Sequence, residues 1–137
     1  MLLACVLGVA ACDWRHVVQL QVRPAPPEDT FSAAVAAVAT KASLVADHQW
    51  GGYCPLGSFM EAQGTHTSQV IRICAGKSGD TAVVDLSEFN KGGPWCPDAT
   101  FVDIQETLEA KLRSEFGHVE VIKGATGGLK IEPTATP

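Results

Sequence analysis

The chain has 137 residues, a net charge of −5 at pH 7, 46% hydrophobic residues and five cysteines. That length builds one domain around a single core. The acidic balance excludes the clustered Lys and Arg of a nucleic-acid footprint, and no polybasic run marks a surface for anionic lipid.

Ten consecutive apolar or small residues run from Leu2 to Ala11, and Cys12, Asp13 and Trp14 follow. Spanning a bilayer takes about 20 apolar residues, so this run is too short to cross one. It has the make-up of the apolar stretch and small-residue cleavage site of an export signal. The residues Val9-Ala10-Ala11-Cys12, an aliphatic residue and two small ones before a cysteine, resemble the lipobox of bacterial lipoproteins. The resemblance implies that residues 1–11 are a signal peptide and are removed, and that Cys12 carries the lipid. It also implies that the body lies in the bacterial cell envelope, anchored to a membrane and facing the periplasm. In lipoproteins of enteric type an aspartate after the lipidated cysteine implies retention in the inner membrane. Asp13 stands at that position, and the choice of inner or outer membrane stays open.

Residues 12–16 then form a short lipidated tether to a single domain over 17–132, with a flexible tail at 133–137. Val17–Arg23 alternates, with Val18, Leu20 and Val22 on one face, as a half-buried strand does. Pro24, Pro26 and Pro27 end it. Glu28, Asp29 and Thr30 supply helix-start chemistry, and Phe31, Val35, Val38, Ala42 and Val45 follow as one apolar helical stripe. Residues 47–66 read as a long irregular connection, a kind of segment that often carries function, with a short helix at Ser58–Gln63 as the alternative.

Thr67–Cys74 and Thr81–Leu86 predict two strands joined by a loop, and Ser87–Pro97 a second irregular stretch. Asp98 or Thr100 caps a second helix whose stripe is Phe101, Ile104, Leu108, Leu112 and Phe116. Glu109 and Arg113 can pair along it, and Gly117 suits its end. His118–Lys123 is the last main strand, and Leu129–Glu132 offers an extra C-terminal edge strand. The element order is that of an α+β, ferredoxin-like βαββαβ sandwich, two helices on one face of a four-stranded antiparallel sheet. Such a topology does not by itself imply a function.

With Cys5 in the leader and Cys12 lipidated, Cys54, Cys74 and Cys96 remain. An oxidising compartment then suggests one disulfide and one thiol. In the expected topology the start of the second strand and the end of the third share one edge of the sheet. Cys54 precedes the former and Cys96 follows the latter, so a Cys54–Cys96 disulfide is expected, with Cys74 free. Trp95-Cys96-Pro97 looks like part of a thioredoxin motif, but Ala99 stands where the second cysteine belongs. Trp50, Tyr53, Phe59 and Trp95, with Trp14, should gather at that end. They form either a surface for a protein or lipid headgroups or a plug for the core.

Other apparent motifs fail. Gly76-Lys77-Ser78 resembles the end of a phosphate loop, but Ile71 occupies the first glycine position and a strand follows. His16, His48, His66 and His118 show no paired metal spacing, so no metal and no cofactor is expected. The leading expectation is a lipid-anchored, non-enzymatic module that binds another envelope protein, as an assembly component or as an inhibitor or immunity factor. The alternative is a small envelope enzyme using Cys54 or Cys96 as nucleophile or redox thiol.

Overall fold

The computed structural model describes residues 13–46, 54, 57–66, 69–91 and 99–123. Its elements run β1 (Asp13–Val22), α1 (Glu28–Lys41), β2 (Val45–Ala46), β3 (Ser58–His66), β4 (Gln69–Ser78), β5 (Thr81–Lys91), α2 (Ala99–Phe116) and β6 (Glu120–Lys123). The class is α+β, as expected, with both helices packed on one face of an antiparallel sheet. The sheet is larger than the expected four strands. Its order is β2-β3-β4-β5-β1-β6, of which β2 has only two residues.

β1 begins at Asp13, so residues 13–16 of the stretch read as a tether belong to the first strand instead. The cross-strand pair Asp13↔Lys91 continues the ladder that Val17↔Ser87 and Val22↔Ala82 define. Polar and aromatic positions 13–16 obscured this extension, because alternation is visible only from Val17 onward.

The larger correction concerns residues 58–66. Neither the irregular connection nor the short helix forms there; the segment is β3, paired antiparallel to β4 from Ser58↔Gly76 to His66↔Gln69. Met60, Glu61, Ala62 and Gln63 are good helix formers, yet Met60 and Ala62 alternate inward under the helices. Cross-strand pairing outweighs their local preference. A register shift between Ser58 and Met60 lets Phe59 also reach the core.

α1 stops at Lys41, four residues before the end of its expected stripe. Ser43 takes φ 63°, its N–H donates to the Thr40 carbonyl at 3.0 Å, and the Leu44 N–H donates to the Ala39 carbonyl at 2.9 Å. This pair of bonds is a Schellman closure, which satisfies the last carbonyls and turns the chain. Leu44 is thereby buried while Val45, now in β2, is 62% exposed. Gly64 of β3 permits that approach, because a Cβ there would lie 2.6 Å from Leu44 Cδ2.

The core lies between the helices and the inner face of the sheet. Phe31, Val35, Leu108 and Leu112 from the helices meet Leu20, Ile71, Ile73, Val84 and Leu86 from the strands. Each such side chain contributes about 1.5–3 kcal/mol on full burial. Phe31 joins the layers, its ring 5.8 Å from Phe116 and 6.3 Å, edge-on, from Phe59. α2 follows its expected stripe through Phe101, Ile104, Leu108 and Leu112. Its surface carries the expected Glu109–Arg113 pair at 3.0 Å and a Lys111–Glu115 pair at 2.7 Å. Gly117, at φ 88°, ends it.

Candidate functional site

Strand register sorts the polar side chains onto two patches. On the face away from the helices, Val17, Ser87, Arg72 and Gln63 lie in one cross-strand row. The next row is Ile122, Gln19, Asp85, Cys74 and Glu61. Asp85, Ser87, Thr81 and Gln63 are all under 9% exposed on this face, where burial of a polar group requires compensation. Arg72 Nε donates to Gln63 Oε1 at 3.1 Å, and Gln21 Nε2 donates to Gln19 Oε1 at 3.2 Å. Arg72 and Asp85 are diagonal neighbours here, an arrangement that favours opposite charges.

The disulfide lies on the same face and corrects the expected pairing. Cys54 is bonded to Cys74, not to Cys96, with the Cα atoms 5.7 Å apart. The reason is β3. One additional antiparallel strand reverses the chain, so the start of β3 lies beside the end of β4, where Cys74 pairs with Glu61. Cys54, four residues before Ser58, packs on Cys74 and Val83. Cys74 is buried, and with its sulfur in the bond Cys54 presents no thiolate. Cys96 and the lipidation candidate Cys12 lie outside the described residues.

The expected aromatic cluster divides likewise. Trp50, Tyr53 and Trp95 lie outside the described residues. Phe59 sits at the end of the sheet opposite the start of β1, half-buried against Phe31. It therefore fills core beneath α1 and is not at the end where the first strand begins. There it borders a cleft of about 310 Å³ shared with Pro26, Pro27, Glu28, Lys77 and Ala82.

The second polar patch lies under the first turns of α2, on the inner face at the Asp13 end. His16 and Glu88 are direct cross-strand partners of β1 and β5. Glu88 is fully buried and Gln105 of α2 is 8% exposed. The His16 ring lies 6.4 Å from that of Phe101, tilted by 49°. Burial holds the imidazole below its ordinary pKa, since a charged ring loses solvation there. Among the described residues no three His, Cys, Asp or Glu side chains group to hold a metal. No helix among them is long and apolar enough to cross a membrane.

No family model and no curated protein matches this chain.

The functional reading therefore rests on the residues themselves. Glu88 and Gln105 escaped the sequence reading because each occupies a buried core-side position, and Asp85 because the alternation turns it outward, where a polar side chain is expected to be exposed and this one is not. One signal was available: Glu88 continues the inward alternation Ala82, Val84, Leu86, which places a carboxylate on the core side if the strand extends past Leu86. β5 does so and reaches Lys91.

Proposed function

We propose that the chain is a small lipid-anchored protein of the bacterial cell envelope that acts as a non-enzymatic protein-binding module. Cys12 carries the lipid and residues 1–11 are the export signal that is removed. The body faces the periplasm and binds another envelope protein, as an assembly component or as an inhibitor or immunity factor. The observation that carries this reading is the Cys54–Cys74 disulfide. A structural disulfide persists in an oxidising compartment, which is where the leader and the lipobox-like Val9-Ala10-Ala11-Cys12 would deliver the chain. We read the architecture as a ferredoxin-like core of β1, α1, β4, β5, α2 and β6, with β2 and β3 added at one edge. The partial sheet order β4-β5-β1-β6 supports that reading.

The test is intact-mass and peptide analysis of the protein isolated from its native envelope, beside a Cys12→Ser variant. The expected result is loss of residues 1–11, an acylated Cys12, and an oxidised Cys54–Cys74 pair. The Cys12→Ser variant should lose the acyl mass and leave the membrane fraction. An uncleaved leader with both body cysteines reduced overturns the proposal. Co-purification of the acylated form then identifies the partner.

A further inference from the structure

We infer that the anchored protein stands with one defined end of its sheet in the phospholipid headgroup layer. This end comprises the start of β1, the end of β5 and the first turn of α2. The inference rests on the lipid-anchor reading above and adds an orientation to it. Its basis is that no spacer exists. Cys12 is bonded directly to Asp13, and Asp13 already pairs with Lys91 in the ladder. Consecutive Cα atoms are about 3.8 Å apart, so the acyl-bearing residue is held within a few ångströms of hydrogen-bonded strand. The headgroup layer is itself roughly 5–7 Å deep on each side of the bilayer. A body tied this closely has its near end in that layer.

The register identifies what shares this end. β1 runs away from it, so β5 finishes there at Lys91, β4 starts there at Gln69 and β3 finishes there at His66. The Phe101 contact to His16 brings the first turn of α2 to the same end. The Gly79–Asp80 turn, by contrast, lies one strand length away, roughly 30 Å at the usual rise per residue.

Charge has the same sense. α1 carries its two carboxylates, Glu28 and Asp29, in its first turn at the far end, and its one cation, Lys41, in its last turn. The first turn of α2, at the near end, holds no acidic residue. The near end holds Asp13, Glu88 and Asp103 beside Arg15, Lys41 and Lys91 and has no cationic excess, so the bias from an anionic leaflet is repulsion of the far end alone, within a Debye length of about 8 Å.

The experiment uses the full acylated protein in vesicles of phosphatidylethanolamine and phosphatidylglycerol containing a headgroup-attached nitroxide lipid. A fluorescent amino acid replaces exposed Val102 in the first turn of α2 in one variant, and exposed Asp80 in another. Quenching should be at least fivefold stronger at position 102 than at position 80. A 20-residue Gly/Ser linker inserted between Cys12 and Asp13 should abolish most of that quenching. Equal quenching at the two positions in acylated protein overturns the orientation and leaves the anchor intact. Quenching at 102 that the linker leaves unchanged overturns the tether as its cause. Intact mass on the same samples separates these results from failure of the anchor: absence of an acyl chain on Cys12 overturns both readings.

Discussion

Removing the Cys54–Cys74 bond measures how far one covalent closure supports this body. The two cysteines are 20 residues apart, and the chain-entropy relation assigns a loop of that length about 3 kcal/mol. The perturbation is the double variant Cys54→Ala/Cys74→Ala, which removes both sulfurs and leaves no new thiol. Cys74 is 3% exposed and packs against Val83, so lost packing adds to the entropic loss and does not offset it. Single domains have about 5–15 kcal/mol in total, and the variant should therefore fold but with a much smaller margin. In thermal unfolding followed by circular dichroism, that loss lowers Tm by about 10–15 °C. The urea midpoint should fall in parallel. Cys96→Ala is the control and should leave both midpoints where they are. The reasoning is refuted if Cys96→Ala costs as much as the double variant, or if peptide mapping finds Cys54 joined to Cys96.

Three further outcomes follow from local geometry. Gly64→Ala places a Cβ 2.6 Å from Leu44 Cδ2 and 3.3 Å from the Ser43 carbonyl oxygen. It should cost about 1–3 kcal/mol in urea titrations, and a double-mutant cycle with Leu44→Ala should show coupling between the two sites. Ser43→Gly relieves a left-handed residue at φ 63° and should raise stability by about 0.5–1 kcal/mol, after the entropy cost of glycine. Burial lowers the pKa of His16, so its neutral form is favoured in the folded state. Stability from this source is complete above the unfolded value of 6.5 and is lost as pH falls through the lower folded value. Urea titrations at stepped pH between 7 and 5 should show that decline, and His16→Gln should flatten it.

The helices were legible because their signals are local. Carboxylates at Glu28 and Asp29, the stripe from Phe101 to Leu112, and Gly117 after the last turn all act within a few residues of chain. β1 and the β4–β5 hairpin were legible in their centres, where side chains alternate. β3 was not, since Met60, Glu61, Ala62 and Gln63 favour helix in isolation and become strand only through pairing with β4. That single omission misplaced the disulfide, because each antiparallel strand exchanges which end of the sheet the chain occupies. Val45 was misassigned for a related reason: the helical spacing that includes it continues past the point where Ser43 turns the backbone. The polar patches were hidden by the same rule that revealed the core. Glu88 and Gln105 are buried where pattern alone expects an apolar side chain, and Asp85 is buried on a face where pattern alone expects exposure.

The position of β5 has a consequence for how the molecule opens. It is hydrogen-bonded to β1 on one side and β4 on the other, and Thr81 to Glu88 are buried in an unbroken run. No partial fraying exposes its amides, because both neighbours must separate first. Deuterium uptake along this strand should therefore be the slowest in the chain and report the free energy of complete unfolding.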